Sequence, residues 1–532
     1  MRELFRVRGF MPYVAMLFLN AFVDLGHKIV IQNTVFKIYD GTTQSALIAV
    51  VNALILLPFI LLFSPAGHIA NRYPRPRVMQ LAAWAAVAVT LLITACYAMG
   101  WFWAAFALTL VLAGKSAFYS PAKYGYIREI SGTDNIAAGN GIVQATTTVA
   151  ILSGMFVFSF LFEKILATHT DAKTPADMLK LMIPLGCLLV GNSVVELALA
   201  YRLPVFTRDN NTEPFVARDY FRGVYLRANV ATIREQRVIW LSIVGLATYW
   251  GLAQALIAVF PTFAEERLQQ HNTVAIQAML ACTGIGVMLG SLVAGRLSRH
   301  HIETGLIPIG AVGIATCLAL LPTVEHTVTT ALLMLVVGVS GGLFIIPLNS
   351  LIQYQASAEK IGTVLAGNNW VQNVTMLAFL IVTASASWIG LTSSGMFVLL
   401  TLVAIAGAGY TVSQLPQSFV RIVFSAVFRG AYRIDVSGFD RIPRSGGVLL
   451  LGNHISWIDW AMVQIACPRP ISFVMQREIY NLWFLKPFLK AFGAIPIASG
   501  NSKTALATIN QLLLKGEVVC LLGDNGAGKS TL

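Results

Sequence analysis

Charge is scarce in this chain. Only 11% of its 532 residues are Asp, Glu, Lys or Arg, against about 25% in soluble domains, which excludes an ordinary water-soluble globule. Cysteine is scarce as well: Cys96, Cys187, Cys282, Cys317, Cys467 and Cys520 are scattered, mostly within apolar stretches. No metal-ligand spacing is present and no disulfide framework is implied, so no bound metal is expected. The first apolar run has no small-residue cleavage site and is followed by many more. It therefore reads as an anchor rather than a cleaved leader.

What the chain has in quantity is apolar length. With 56% hydrophobic residues, runs of about 20, enough to cross a bilayer, recur from Phe10 to about Val412. The expected spans are 10–33, 44–64, 78–98, 101–120, 138–162, 179–201, 238–260, 274–297, 304–322, 328–350, 364–387 and 394–414, twelve helices in two halves of six. The net charge of +13 could suggest nucleic acid, but its distribution argues otherwise. Basic residues gather before the first span (Arg2, Arg6, Arg8), after the second (Arg72, Arg75, Arg77), after the fourth (Lys123, Arg128), in the long middle loop and after the last span. Alternate loops carry few. Basic loops face the cytoplasm, so both the N-terminus and everything beyond residue 414 are expected there, and no nucleic-acid partner is expected.

The chain repeats itself. Ala138-Gly139-Asn140-Gly141-Ile142-Val143-Gln144 returns as Ala366-Gly367-Asn368-Asn369-Trp370-Val371-Gln372, and Ala66-Gly67 returns as Ala294-Gly295, both at an offset of 228. Two parallel halves with a substrate path between them are a common transporter plan. Within the first span, Asn20, Asp24 and Lys28 form one stripe at i, i+4 and i+8. Ionisable groups at bilayer depth are costly unless they face a polar cavity or a partner, and Asp24 and Lys28 could pair with each other. Asn192 with Glu196, Asn140 with Gln144, and Asn368 with Gln372 repeat the i, i+4 spacing. Such a lining suits a polar headgroup; the other reading of the amides is hydrogen bonding between helices.

The loop Gly67-His68-Ile69-Ala70-Asn71-Arg72-Tyr73-Pro74-Arg75-Pro76-Arg77 resembles the Gly-x-x-x-Asp-Arg-x-Gly-Arg-Arg loop of the major facilitator superfamily. Asn71 stands in place of the usual Asp and Pro74 in place of Gly. The resemblance implies a gating latch through Gly67, Asn71, Arg72 and Arg75, with a shorter second copy at Gly295-Arg296-Leu297-Ser298-Arg299. Beside Lys115, Phe118-Tyr119-Ser120-Pro121-Ala122-Lys123-Tyr124-Gly125 is similar to the Phe-Gly-Pro-x-Lys-Tyr-Gly segment of the lysophospholipid transporter branch. Asn20-Ala21-Phe22-Val23-Asp24 resembles that branch's first helix. The resemblance covers residues 1–414 and implies inward movement of lysophospholipids, notably lysophosphatidylethanolamine. Asn20, Asp24, Lys28, Asn140, Gln144, Glu196, Asn368 and Gln372 are the candidates for contacting the substrate.

Beyond Pro416 the character changes. Gln417 to Arg433 is basic and amphipathic, as in helices that lie on a membrane surface. The apolar run Val448-Leu449-Leu450-Leu451-Gly452 then leads into Asn453-His454-Ile455-Ser456-Trp457-Ile458-Asp459. An imidazole can take a proton from an alcohol, and a carboxylate on its other nitrogen fixes the tautomer. Ser456 reads as a turn residue. With Pro470–Glu478 and Gly493–Ile497, this region resembles the glycerolipid acyltransferases of the Asn-His-x-Ser-x-x-Asp type. That resemblance implies a cytoplasmic α/β layer in which His454 is the base and Asp459 orients it. The acyl group would come from acyl-carrier protein or acyl-CoA, and no bound cofactor is implied. Ala498 stands where that family has an arginine. Its Phe-Pro-Glu-Gly motif does not follow the strand Glu517–Leu522, so an incomplete domain and weak or absent reacylation are expected.

After that strand comes Gly523-Asp524-Asn525-Gly526-Ala527-Gly528-Lys529-Ser530, which matches the phosphate-binding pattern G-x-x-x-x-G-K-[ST] and resembles an ATP-binding cassette loop. Gly523, Gly528, Lys529 and Ser530 would hold nucleotide there. No helix comes later in the sequence to complete the phosphate site, so a truncated, fused or artificial terminus with no nucleotide function is expected.

The expected protein is thus an α-helical polytopic membrane protein with a twelve-helix major facilitator fold, two six-helix halves (1–202 and 238–414) and a middle loop (203–237). An interfacial linker (415–433), a partial acyltransferase-like α/β domain (434–522) and a phosphate-loop-like end (523–532) complete it. The expected setting is a bacterial inner membrane, with membrane lipids and a lysophospholipid substrate as partners and acyl-carrier protein as a further one. Two other readings stand beside this one: a transporter of another small solute with a C-terminal remnant, and an ATP-driven exporter.

Overall fold

The computed structural model describes residues 3–168, 174–206, 214–298, 301–431, 437–438, 441–443, 446–456, 459–467, 469, 471–497 and 503–523. They fall into two compact units, Met1–Ile302 with Gly310–Gly407, and Glu303–Ile309 with Ala408–Leu532.

Among the described residues, eleven helices are long and apolar enough to cross a membrane, and twelve spans result when one bent pair is counted as a span. In the first half they are Phe10–Ile38, Gly41–Leu61 with Phe63–Arg72, Arg75–Met99, Phe102–Ser131, Ile136–Ala167, and Pro175–Leu181 with Ile183–Ala200. In the second half they are Arg237–Leu268, Thr273–Leu297, Leu306–Leu320, Thr327–Gln355, Ile361–Trp388 and Ser393–Gln414. The second span bends by 54° at Leu62. Pro65 has no N–H to give to the carbonyl of Leu61, so the helix cannot run through. Pro184 does the same to the sixth span, which breaks at Met182. Helices this apolar on all sides expose aliphatic and aromatic surface, such as Phe156 (72%) and Leu92 (55%), as a lipid-facing exterior requires.

Where helices touch, small residues let them approach. A Cβ on Gly286 would lie 2.1 Å from the Leu335 carbonyl oxygen, and one on Gly338 would lie 2.0 Å from that of Thr283. This is the small-residue packing expected where lipid offers helices no hydrophobic drive to associate. His27 is fully buried in the first span. Its Nδ1 lies 2.9 Å from the Tyr97 hydroxyl and its Nε2 lies 3.0 Å from the Ala105 carbonyl oxygen, so this histidine ties helices together.

The second unit holds a parallel four-stranded sheet: β1 (Val448–Asn453), β2 (Ile471–Gln476), β3 (Ile495–Ile497) and β4 (Val518–Gly523), in the order β1-β4-β2-β3. Val448 pairs with Val518 and Asn453 with Gly523, while Ile471 pairs with Val518 and Val474 with Ile495. Central β4 is apolar on both faces, as a covered parallel strand must be. Val519 packs with Val474, Ile495, Ala505 and Ile509 on one side. Val518 and Cys520 pack with Ile471 and Cys467 on the other. Burial pushes the Cys520 thiol up to about 12 and raises that of Cys467 as well. The amphipathic helix Pro416–Ala431 belongs to this unit and packs Phe424 against Trp460, with ring centroids 5.6 Å apart. It is held further by an Arg421–Glu303 ion pair and a 2.8 Å contact between the Ser418 and Thr304 hydroxyls.

Candidate functional site

The polar seam of the first half is built from the first, fourth and sixth spans. Asp24 does not pair with Lys28, the neighbour on its own stripe. Lys115 of the fourth span reaches it instead, Nζ to Oδ1 at 3.0 Å, and the Ser116 hydroxyl bonds the other carboxylate oxygen. Lys28 makes no ion pair or hydrogen bond among the described residues. Asn20 Nδ2 donates to Glu196 Oε1 at 2.9 Å, and the second oxygen of Glu196 has no hydrogen-bond partner among the described residues. The Tyr119 hydroxyl, also buried, has none either. Asp24 and Lys115 are the charges that face Glu196. Asn192 donates to the Leu19 carbonyl at 3.4 Å. The seam therefore holds two carboxylates, one paired lysine and one unpaired lysine.

The repeated amides sit elsewhere, where the two halves meet. Asn140 and Gln353 of the tenth span exchange hydrogen bonds at 3.0 and 2.9 Å, and Asn140 also donates to the Ser350 hydroxyl at 3.3 Å. This is the helix-bridging role of the two that the sequence left open. Gln144 Nε2 reaches Thr148 at 3.5 Å, and Gln372 donates to Asn368 at 2.8 Å. Asn369 crosses to the Ser120 hydroxyl at 2.8 Å.

The segment read from the sequence as a gating loop is helical up to Arg72 and forms a joint between the halves. Asn71 Oδ1 accepts the Gly362 N–H at 2.7 Å and its Nδ2 donates to the Thr363 hydroxyl at 2.9 Å. A residue of one half thus caps the first turn of the eleventh span, whose leading N–H groups have no intrahelical partner. Gly67 and Gly362 allow the approach. A Cβ on Gly67 would lie 3.0 Å from Thr363 Cα, and one on Gly362 would lie 2.4 Å from Asn71 Oδ1. Beside this joint, Arg128 donates to the Gln353 and Ala356 carbonyls at 3.1 and 2.7 Å, a cation at a helix C-terminus. Arg75 is buried against Glu129 and the Gly125 carbonyl. Arg72 lies over its neighbour Tyr73, 5.7 Å from the ring centroid. The bonds of Asn71 and Arg128 join the two halves on the side that carries the basic loops.

In the second unit, β1 delivers His454 to the carboxyl edge of the sheet, where its N–H bonds the Gly523 carbonyl of β4 at 3.2 Å. His454 Nδ1 stands 3.2 Å from Asp459 Oδ2. The same oxygen accepts the Ile455 and Ser456 N–H groups at 2.6 and 2.8 Å. Those two backbone donors, Ser456 first, hold the Asp459 carboxyl below the usual carboxylate range. Ser456 contributes its backbone to the turn. An Nδ1–H directed at Asp459 leaves Nε2 with a lone pair, and the half-exposed ring can reach a substrate. Of the phosphate-loop residues, Gly523 ends β4 beside His454. Gly528, Lys529 and Ser530 lie outside the described residues, as does Ala498.

The seam's partner Lys115 was visible in the sequence as a lone lysine in an apolar run. Gln353, Thr363 and Ser116 carry no such signal, because only the fold brings them to their partners.

Comparison with known proteins agrees with both units. The Major Facilitator Superfamily model matches residues 13–376 and the Acyltransferase model matches residues 433–522. The lysophospholipid transporter LplT of Photorhabdus laumondii is 26% identical over 337 residues, covering 61% of this chain and 76% of that protein. The LplT of Klebsiella pneumoniae is 28% identical over 327 residues, covering 60% and 75%. Among solved structures, the transporter FucP in its outward conformation superimposes with a TM-score of 0.60 at 10% identity, covering 75% of this chain and 98% of its own. The human organic anion transporter MFSD10 gives 0.59 at 13% identity, covering 75% and 99%. These likenesses concern the fold. The chain belongs to the Major Facilitator Superfamily and carries, after its membrane spans, a domain of the Acyltransferase family.

Proposed function

We propose that this protein brings lysophospholipids across a bacterial inner membrane and reacylates them through its second unit. The observation that carries the reading is the His454–Asp459 pair at the carboxyl edge of a parallel sheet, on a chain whose spans are similar to lysophospholipid transporters. The basic loops support a cytoplasmic side for both ends of the chain.

In the seam, a phosphoethanolamine headgroup meets its own complement. Its ammonium suits Asp24 and Glu196, and its phosphate suits Lys28, which has no partner among the described residues, or Lys115 once the Asp24 pair opens. The joint of Asn71 with Gly362 and Thr363 closes the cytoplasmic side and must open to release the lipid inward. Asn140 and Gln353 open with it, and Gln144, Asn368 and Gln372 line the same passage.

In the second unit, Asp459 holds the Nδ1–H of His454 so that Nε2 accepts the proton of the lysolipid hydroxyl. The freed oxygen attacks the carbonyl carbon of an acyl thioester, the carbon–sulfur bond breaks, and the thiolate departs with the proton from Nε2. The donor is acyl-carrier protein or acyl-CoA. Keeping both units on one chain raises the local concentration of imported lysolipid at the transferase.

The test uses membranes and proteoliposomes with labelled lysophosphatidylethanolamine and an acyl donor, comparing the parent chain with His454→Ala. Uptake is expected to persist in the variant, while the acylation of the parent chain, weak because no Phe-Pro-Glu-Gly motif follows β4, is lost. Preference for a sugar or drug over lysolipid overturns the transport reading. Lysolipid uptake without any His454-dependent acylation overturns the coupling and leaves a transporter alone.

A further inference from the structure

The second unit has an apolar surface on the same edge as His454. Leu482, Trp483 and Phe484 follow one another and are 41%, 85% and 59% exposed, the two rings standing edge to face at 5.9 Å. They come directly after the short helix Arg477–Tyr480, which begins where β2 ends. Because the sheet is parallel, the end of β2 lies on the same carboxyl edge as the end of β1, from which His454 emerges. Ile455, next to His454, is 90% exposed. In the same stretch of chain, residues 477–490, the exposed bases are Arg477, Lys486 and Lys490, against one acid, Glu478. Single exposed apolar residues need no explanation. A contiguous aromatic wedge flanked in sequence by basic residues does, and it has the composition of a membrane-interface anchor.

We infer that Leu482, Trp483 and Phe484 insert into the headgroup layer of an anionic bilayer, with Arg477, Lys486 and Lys490 on its phosphates, so that the sheet's carboxyl edge faces the lipid. The occupant is a bilayer rather than a protein because the basic flanks complement an anionic leaflet. The chain also anchors itself in a bilayer through the span Ser393–Gln414, whose last turns belong to this unit. Its use rests on the acyl-transfer reading of His454: a lysolipid hydroxyl at the interface would meet Nε2 by lateral diffusion, without its acyl chain entering water.

The experiment places the photoreactive residue p-benzoylphenylalanine at position 483 of the full chain in nanodiscs of phosphatidylglycerol and phosphatidylcholine, with mass spectrometry of the adducts. Position 514 is the negative control: Leu514 is 80% exposed but ends the helix leading into β4, at the opposite, amino edge of the sheet. Position 156, on the lipid face of the fifth span, is the positive control. Lipid adducts are expected at 483 and 156 and not at 514. The double variant Lys486→Glu with Lys490→Glu is expected to lower the yield at 483 about fivefold or more on anionic discs, and little on purely zwitterionic ones. No lipid adduct at 483 while 156 reacts, equal yields at 483 and 514, or a protein adduct at 483 overturns the inference. Adducts at 483 without His454-dependent acylation would remove the transferase reading and leave the docking intact.

Discussion

Replacing Gly362 by alanine should open the joint between the two halves. The added Cβ would stand 2.4 Å from Asn71 Oδ1, 2.9 Å from the Gly67 carbonyl oxygen and 3.0 Å from the Ala70 carbonyl carbon. Two of those three are backbone atoms of the facing helix, so no flexible side chain can yield alone. Overpacking of this kind costs about 1–3 kcal/mol. The 2.7 Å bond from the Gly362 N–H to Asn71 is lost in the same displacement and is not counted again. Alanine's better helix propensity applies whether the joint is open or closed and cancels. A shift of about 1–3 kcal/mol is about 5–150-fold in the equilibrium, toward separated halves. Spin labels at Arg77 and Glu359, both exposed at this face, read the change by pulsed electron resonance as growth of a longer distance. Gly191→Ala is the control, because a Cβ there meets nothing within 4 Å. An unchanged distribution in Gly362→Ala, or an equal shift in Gly191→Ala, would refute the steric argument.

Three further outcomes are set by the geometry. Asp459→Asn keeps the shape of the turn but gives up the carboxylate that orients His454, so acylation should fall by about 10²–10⁴-fold with lysolipid uptake unchanged in the same vesicles. The lowered Asp459 carboxyl contributes stability that is complete above about pH 4 and lost as pH falls through its folded value. The melting difference between parent and Asp459→Asn should therefore narrow in acid. Lys115→Met leaves Asp24 with the Ser116 bond but no cation, a loss of about 3–5 kcal/mol for a buried pair, toward the lower end because the Asp24 side chain is 28% exposed. Adding Asp24→Asn should return part of the lost melting temperature, and a purely additive double variant would show the two are not coupled. Cys467 and Cys520, both buried and raised by burial, should resist N-ethylmaleimide at neutral pH and react only on unfolding, as mass spectrometry of the labelled chain would report.

The spans were legible because length and hydropathy are local properties. Their breaks at Leu62 and Met182 were equally local, written in Pro65 and Pro184, although the expected spans ran straight through both. The His454–Asp459 pair was legible for the same reason: strand, turn and helix start lie within a few residues of each other. The partner of Asp24 was not. Spacing along one helix proposes Lys28, but choosing Lys115 requires knowing that the fourth span lies against the first. Asn140 shows the same limit, since its amide looked equally suited to a cavity or a bridge until Gln353 came to face it. The wedge at Trp483 was present in the sequence as a short apolar stretch, yet only the parallel sheet places it on the edge of His454.

The duplication and the joint explain each other. Gly67 packs against Ala366, its added Cβ 3.1 Å from the alanine's, and Gly141 packs against Gly295, its Cβ 3.2 Å from that glycine's Cα. Ala66-Gly67 and Ala294-Gly295 are one repeated pair, and the segments beginning at Ala138 and Ala366 are the other. Each half therefore offers the end of its second helix to the start of the fifth helix of the other half. Most of the apolar sequence is free to drift so long as it stays apolar. At these crossings only a small side chain lets two backbones meet, so the internal likeness survives there. The asymmetry is equally informative. Asn71 caps the eleventh span, whereas its counterpart at the 228 offset is Arg299, and beside the other crossing it is Asn140 that bonds Gln353 and Ser350, so the repeated glycines supply the approach while the polar bonds differ between the two. At the first crossing a single side chain, Asn71, makes both polar bonds, and that is where a change of one side chain should act on transport without touching the seam.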